Sequence, residues 1–150
     1  MPALSFPPLE TLVPHRETML LIDEVASCDY GKGELVAAFS ARRGWCENWA
    51  AIEYMAQGAA ALAGIADRQE GWQGAPRPGF LLGTRKLELD FERFEPGRRY
   101  TVHVQNAFRD ADAASFVCEI FDGEKRVAAA TLNAYRPPDV GAFLSAASKA

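Results

Sequence analysis

The chain has 150 residues, of which 49% are apolar and 24% charged, and its formal net charge is −4 at pH 7. This length fits one domain, residues 1–150, and the composition is typical of a packed globular core rather than a disordered chain. The mild negative charge, without a block of Lys or Arg, argues against a primary role in nucleic-acid binding, because that binding depends on neutralising phosphates.

The sequence also bears on membranes and cysteine chemistry. No apolar segment approaches the roughly 18 residues that a membrane helix needs, and the N-terminus lacks the charged start and apolar run of a signal peptide. We therefore expect no membrane association and a cytoplasmic location.

Cys28, Cys46 and Cys118 are odd in number and far apart, which matches neither a disulfide framework nor metal-ligand spacing. They are expected to be reduced thiols, buried or half-buried.

The first third of the chain predicts an irregular start followed by a β-hairpin. Residues Met1–Pro14 are Pro-rich, with a short turn of helix expected around Leu9–Leu12. The apolar run MLLIDEVASCDY, Met19–Tyr30, is β-compatible, GKG supplies a turn, and ELVAAFSA continues as a second strand. The two runs meet at the turn, so they are predicted to pair.

A long helix is predicted next. The stretch WAAIEYMAQGAAALAG, Trp49–Gly64, follows Asn48, which is a suitable N-cap, and the helix is expected to end near Asp67. It is apolar nearly all round, which is typical of a deeply buried helix rather than one that is amphipathic on the surface. A lone helix within a run of strands is expected to pack against the concave face of a curled sheet.

Polar side chains in this apolar helix form the candidate site. Glu53, Gln57, Ala60 and Gly64 are spaced four, three and four residues apart, so they share one narrow stripe of the helix. The acid thus heads a predicted groove of small residues. The alternative is that Glu53 only stabilises the helix dipole, which contributes about 0.3–1 kcal/mol when the carboxylate is exposed.

Four further strands are predicted after the loop EGWQGAPRPG. They are FLLGTRKLELDFERF, RRYTVHVQNAFRD, ASFVCEIFDG and KRVAAATLNAYR, and the tail DVGAFLSAASKA is expected to be a short helix or to fray. Leu87, Leu89 and Phe91 alternate with acidic residues, the period-two pattern of a half-buried antiparallel strand. The fold class is therefore α+β, with a curled six-stranded antiparallel sheet wrapped around one long central helix.

Several of these segments resemble a known family. The residues LVPHRETMLLIDEV, IEYMAQGAAALAG, GFLLGTRKLELDFERFEPGRRYTV and AAATLNAYR, which extend from about Leu12 to Arg136, are similar to the β-hydroxyacyl-acyl carrier protein dehydratases of the hot-dog fold. Within that family the chain most resembles the branch associated with aryl polyene pigment clusters. The family fold is a curled six-stranded sheet around one helix, normally dimerised, which agrees with the element order derived above.

The resemblance implies a reaction and a site. The reaction is dehydration of a 3-hydroxyacyl thioester carried on the phosphopantetheine arm of an acyl carrier protein, with no cofactor or metal of the protein's own. The family uses a helix carboxylate, which maps onto Glu53, together with a loop histidine at the dimer interface. Related dehydratases carry that histidine in a GHFPG loop, whereas the corresponding region here, FSARRGWCENWA, contains none.

The chemistry assigns roles to other residues. Removing water across C2 and C3 requires a base, an acid and donors for the developing enolate oxygen. Glu53 is the candidate acid or base, and backbone N–H groups around Ala51 and Ile52 are candidate donors. Gly83 is assigned with them to substrate binding. Gln57 is expected either to orient Glu53 or to bond the pantetheine arm, and the open alternative is a polar residue at a subunit interface.

The chain has two histidines. His103 alternates with Val102 and Val104, so it is expected to face away from them, toward solvent. His15 lies in the PHR segment ahead of the first strand and is the second candidate catalytic residue. The alternative for His15 is a buried imidazole that holds the N-terminal segment by hydrogen bonds.

Basic residues and sheet edges suggest partners. Arg85, Lys86 and Arg93 on the predicted third strand are expected to dock an acidic carrier protein, although paired basic residues are often only solvated. A buried helix and an exposed sheet edge favour a homodimer or a heterodimer with another hot-dog subunit. Three functions stay open: a dehydratase, a non-catalytic or half-site partner subunit that stabilises a complete dehydratase, and an acyl thioesterase.

Overall fold

The computed structural model of the chain describes residues 7–13, 19–77, 79–110 and 112–136. Its helices are α1, Leu9–Leu12, and α2, Ala51–Gln69. Its strands are β1 Glu24–Asp29, β2 Glu34–Ser40, β3 Phe80–Leu89, β4 Arg99–Arg109, β5 Ala113–Asp122 and β6 Lys125–Tyr135. The C-terminal tail and His15 lie outside the described residues.

All six strands belong to one sheet, in the order β1-β2-β4-β5-β6-β3, and every neighbouring pair is antiparallel. The short connections form hairpins between β1 and β2, β4 and β5, and β5 and β6, where Gly-containing turns or acidic residues separate the apolar runs. Strand β3 returns to pair with β6, and it lies at the edge of the sheet. The predicted six-stranded sheet with one long helix is confirmed.

Helix α2 packs against the sheet because its small residues permit close contact. Gly58 lies against Val102 and Val104 of β4, where an added Cβ would come within 3.0 Å of a Val104 methyl carbon. At Gly64 an added Cβ would overlap the backbone of Leu12 in α1. A side chain at either position would hold the helix away from its neighbours.

An aromatic cluster fixes the beginning of α2. The rings of Phe39 and Tyr54 stack with centroids 3.9 Å apart, and Phe94 meets both Tyr54 and Tyr100 edge-on. The hydroxyl of Tyr54 donates a hydrogen bond of 2.9 Å to the Trp45 carbonyl. The loop before the helix is therefore tied to the core immediately beside Glu53.

Two predictions about element ends are wrong. Strand β1 begins at Glu24 rather than at Met19, because the backbone N–H groups of Leu21 and Ile22 bond the side chain of Gln57 instead of a strand. Asn48 is not the N-cap of α2. It opens a 3-10 turn, Asn48–Ala50, and its side chain donates to the Phe91 carbonyl at 3.4 Å.

Strand β3 also departs from the predicted pattern. It ends at Leu89, and Leu87 is exposed rather than half-buried. The pairing with β6 shifts register between Arg85 and Glu88, and Lys86 within that bulge has a φ of 55°. A bulge bends the strand and re-aims its side chains, so the alternation read from the sequence does not continue through it.

The cysteines lie as predicted. Cys46 and Cys118 are buried, Cys28 is half-buried, and all three are free thiols. Burial raises the pKa of the Cys118 thiol to about 12, so this cysteine is protonated in the folded protein.

His103 is exposed, as expected, beside the ring of Phe121. Among the described residues, none of the helices is long and apolar enough to cross a membrane.

Candidate functional site

A groove of about 900 Å³ lies between α2 and the sheet, lined by residues of β3, β4, β5 and β6 and of the turn between β1 and β2. Its helix side is made of small residues, Ala56, Ala59, Ala60, Ala63 and Ala66. The facing side is apolar as well, with Ala114, Phe116, Leu132 and Ala134. This volume is in the range of small-molecule sites, and the lining suits an apolar chain.

Glu53 lies at one end of this groove, in the first turn of α2. Its side chain is half-buried, and its Oε1 accepts a hydrogen bond of 3.1 Å from Nε2 of Gln57. The groove continues along the helix to Ala66, which is about 20 Å away at the rise of an α-helix. The carboxylate therefore heads an elongated apolar groove, in a position to exchange a proton with a bound chain.

Gln57 is fully buried, and its amide is engaged on both sides. Oε1 accepts from the backbone N–H of Leu21 at 2.7 Å and more weakly from that of Ile22. Nε2 donates to the Met19 carbonyl at 2.6 Å and to Glu53. Of the roles that the sequence left open for Gln57, this geometry supports the orientation of Glu53, since the side chain does not line the groove.

The predicted stripe divides between two surfaces. Glu53 and Ala60 line the groove, but Gln57 faces the segment that precedes β1, and Gly64 faces α1. The small residues that follow Glu53 along the groove are alanines, beginning with Ala56. They recur about one turn apart and lie on the helix stripe next to the predicted one. The cause is the N-terminal segment, which covers one side of the helix and leaves the other open.

The remaining predicted substrate residues lie near the site but do not line the groove. Ala51 is fully buried and Ile52 is half-buried, and both belong to the first turn of α2 beside Glu53. Gly83 lies in β3 opposite Asn133 of β6. Their backbone roles stay predictions.

The predicted docking residues lie at the β3 end of the sheet. Arg85 and Lys86 are at the bulge of β3, and Arg93 lies beyond the strand, where it forms an isolated bridge with Glu47. None of these three cations forms an ion pair within the described part of the chain. Their charges are therefore available to an acidic partner.

The other end of the groove is polar, and no motif in the sequence indicates it. Arg109 donates two hydrogen bonds to Glu70, at 2.8 and 2.9 Å, and Glu70 also accepts from the Tyr30 hydroxyl at 3.2 Å. These bonds from Arg109 lower the pKa of the Glu70 carboxyl. The partners are about 40 positions apart in sequence, so no local pattern reveals them.

Asp67 organises the rest of this polar end. It is 2% exposed, and its Oδ1 accepts from Arg77 at 2.5 Å and from Arg136 at 2.8 Å. The guanidinium of Arg77 also lies over the ring of Trp72, 4.7 Å from its centroid. Two arginines from separate segments thus share one buried carboxylate. In the described residues, no three His, Cys, Asp or Glu side chains converge on a possible metal site.

The curled antiparallel sheet and the single long helix within it define a hot-dog fold. Solved structures agree. The dehydratase heterocomplex ApeI:P from Xenorhabdus doucetiae is similar with a TM-score of 0.83 and 20% identity, over 93% of this chain and 97% of that chain.

More distant similarities concern phenylacetic acid degradation. A degradation-related protein from Ralstonia eutropha JMP134 has a TM-score of 0.57 and 16% identity, over 74% of this chain and 82% of that one. The PaaI protein of E. coli has a TM-score of 0.57 and 14% identity, over 75% and 82%. A comparison with curated proteins found no match.

The sequence profile of the ApeP-like family, described as ApeP dehydratase, matches residues 7–145. The chain therefore belongs to the ApeP-like family. The resemblance to hot-dog dehydratases of the aryl polyene branch is confirmed, and the protein is dehydratase-like and belongs to aryl polyene biosynthesis.

Proposed function

We propose that this protein removes water from 3-hydroxyacyl thioesters carried by an acyl carrier protein, with Glu53 as its acid–base residue. The observation that carries the proposal is the Glu53 carboxylate, held by buried Gln57 at the head of an apolar groove. The substrate arrives on the phosphopantetheine arm, and the protein needs no cofactor of its own. The reaction takes place in the cytoplasm.

One carboxylate suffices for the proton transfers. The carboxylate of Glu53 takes the proton from C2, and the resulting carboxylic acid gives a proton to the C3 hydroxyl as the C3–O bond breaks. The products are one water and a C2=C3 double bond, and Glu53 returns to its ionised form. The backbone N–H groups of Ile52 and Gly83 stabilise the thioester oxygen as negative charge develops on it. Ala51, which the sequence assigned to the same role, instead donates its backbone N–H to the Asn48 carbonyl in the 3-10 turn.

A heterodimeric enzyme is the second candidate, because the family's loop histidine has no counterpart in FSARRGWCENWA. In this arrangement Glu53 is one half of a site whose histidine comes from another hot-dog subunit. Within a single chain, the alternative partner for Glu53 is His15. Two observations favour a partner. Strand β3 is an edge of the described sheet with exposed Leu81, Leu82 and Leu87, and the similar ApeI:P structure is a heterocomplex.

Carrier docking is assigned to Arg85, Lys86 and Arg93. A carrier protein is acidic, so attraction between it and these three cations increases the rate of encounter. Neutralising the three together should weaken carrier binding and flatten its dependence on salt concentration, because long-range attraction is screened by ions. The same substitutions should leave the fold intact, since none of the three is fully buried.

The decisive experiment is mass spectrometry of 3-hydroxyacyl chains on a carrier protein. The chains are incubated with this protein alone, with a complete hot-dog dehydratase alone, and with both. Loss of one water with this protein alone supports an independent dehydratase. Loss that is faster in the mixture than with the complete enzyme alone supports the heterodimer. Release of the acyl group would instead identify a thioesterase. Both proposals would be contradicted if this protein alone removed no water and the mixture were no faster than the complete enzyme by itself.

A further inference from the structure

Strand β3 carries both apolar side chains that favour contact with another chain and cations that oppose contact with a second copy of β3. The exposed apolar residues are Leu81, Leu82 and Leu87, and the cations are the adjacent exposed residues Arg85 and Lys86. We infer that these two cations exclude a second copy of this chain from the β3 edge. The edge then accepts a different hot-dog subunit, whose facing edge strand has no basic residue at its centre. The inference rests on the heterodimer proposed above.

The β3 edge is the more apolar of the two edges of the described sheet. Strand β1 forms the other edge, and its residues, Glu24–Asp29, include no exposed large apolar side chain. In β3, by contrast, Leu82 is 65% exposed and adjoins Leu81, which also lines the groove. An exposed apolar edge of this kind favours pairing with a strand of another chain. A partner is therefore expected at β3 rather than at β1.

The position of the two cations opposes pairing of β3 with itself. Arg85 and Lys86 lie at the middle of the 10-residue strand. We consider antiparallel pairing of two copies about a twofold axis, in any register that pairs all residues of the strand or all but one. Each such register brings one of these cations directly opposite, or diagonally across from, a cation of the second copy. Like charges in these positions repel each other, so self-pairing is disfavoured.

No acid of β3 offsets this repulsion. In the described part of the chain, neither Arg85 nor Lys86 forms an ion pair. Glu88 is the one acidic residue of the strand, and it already accepts a hydrogen bond of 2.7 Å from Arg126. A facing strand without basic residues avoids the repulsion and still covers the leucines. The two cations then also remain available to a carrier protein.

The backbone at Lys86 is a second sign that this position serves an interface. Its φ of 55° lies in the left-handed region, which glycine adopts at a bulge with little steric cost. A lysine is less favourable there for the isolated chain, but it places a charge on the exposed edge. Lys86→Gly should therefore raise the melting temperature of the chain and also strengthen its self-association.

The main test measures self-association of the full chain by analytical ultracentrifugation at low salt. The parent should be monomeric at concentrations where Arg85→Gln/Lys86→Gln is dimeric, because removing the like-charge contacts strengthens self-association by about tenfold. Added salt should promote dimers of the parent, since ions screen the repulsion, and should have little effect on the double variant.

A second measurement does not depend on the chain remaining folded alone. The chain is co-produced with a complete hot-dog dehydratase whose β3 edge lacks basic residues, and the assemblies are separated by native mass spectrometry. The parent should yield heterodimers without dimers of its own, whereas Arg85→Gln/Lys86→Gln should yield both species.

The matched control is Arg42→Gln/Arg43→Gln. It removes the same charge from two adjacent arginines in the loop after β2, where Arg42 contacts Asp23 ahead of β1. This variant should associate no more than the parent does. The inference is overturned if the parent dimerises as tightly as the β3 double variant, or if the control gains as much. Heterodimers without dehydration of any acyl chain would instead refute the proposed chemistry alone.

Discussion

Gln57 joins two parts of the molecule that are far apart in sequence. Its buried amide receives N–H groups from the segment before β1 and donates to Glu53 one turn earlier in α2. A carboxamide suits this position because it is both a double donor and an acceptor, and it carries no charge into the core. The residue therefore contributes to stability and to the direction of the Glu53 carboxylate.

Replacing Gln57 by Met should reveal the stability contribution. The apolar side chain has a similar volume, but it leaves the N–H of Leu21 and the carbonyl of Met19 without their side-chain partner. We expect the free energy of unfolding in urea to fall by about 2–4 kcal/mol. The matched control is Gln105→Met on the exposed face of β4, for which the change should be small. Equal effects of the two substitutions would show that the amide network does not stabilise the fold.

The sequence identified Glu53 and Gln57 because polar residues are conspicuous in an alanine-rich helix. It did not identify Asp67, whose arginine partners lie 10 and 69 positions away. An acid near a helix end gives no sign of such pairing, since an exposed carboxylate would look the same in sequence. The Asn48 N-cap failed for a related reason, because the Asn48 side chain bonds a distant carbonyl.

The close packing of helix α2 against other elements depends on glycines, which have no side chain at the points of contact. At Gly64 the helix backbone approaches Leu12 so closely that a Cβ would overlap the Leu12 carbonyl. Gly64→Ala should therefore destabilise the protein by about 2–4 kcal/mol, despite the better helix propensity of Ala, because backbone atoms must move. Thermal unfolding measures the change.

Gly83→Ala serves as the control for this prediction. A Cβ added to Gly83 in β3 would have no described atom within 4 Å apart from its chain neighbours, so the methyl group meets open space. The melting temperature of this variant should match or exceed that of the parent. A Gly64→Ala protein as stable as the parent would show that α1 and α2 can separate without cost.

An ion pair at the end of α2 should make stability depend on pH. Hydrogen bonds from Arg109 lower the pKa of Glu70 below its ordinary value of 4.5. A carboxyl whose folded pKa is lowered stabilises the protein above its unfolded pKa, and that contribution is lost as the pH falls through the folded pKa. Both side chains are about half exposed, so the contribution is at most about 1 kcal/mol.

The measurement is the difference in unfolding free energy between the parent and Glu70→Gln. We expect the difference to be constant from neutral pH down to about pH 5 and to shrink below pH 4.5. Glu124→Gln, in the exposed turn between β5 and β6, should show no such dependence. A difference for Glu70→Gln that does not change with pH would mean that the ion pair does not stabilise the fold.

Interior strands were predicted more accurately than edge strands. The apolar runs and turn residues locate β2, β4, β5 and β6 closely, because each pairs on both sides and follows regular alternation. Strands β1 and β3 were predicted too long. The residues before β1 bond a side chain instead of a strand, and β3 contains a bulge. The exposed leucines of β3 are suited to contact with another chain, so the sequence pattern of β3 does not describe pairing within this one.

At the scale of the whole molecule, the groove and the sheet edge lie on the same side. Strand β3 borders the groove through Leu81 and also lies at the edge of the described sheet. A partner that paired with β3 would complete the sheet and lie beside the groove headed by Glu53. This placement links the proposed heterodimer to the proposed chemistry, since a residue from the partner could then reach the thioester.

The central claim is that Glu53 performs the proton transfers. The most direct test is mass spectrometry of a carrier-bound 3-hydroxyacyl chain with the parent protein and with Glu53→Gln, each assembled with its hot-dog partner if one is required. Glutamine keeps the shape of the side chain and its contact with Gln57, so fold and assembly should be unchanged. We predict that loss of water is abolished in the variant. Unchanged dehydration by a correctly assembled Glu53→Gln protein would contradict the claim and remove Glu53 from the mechanism.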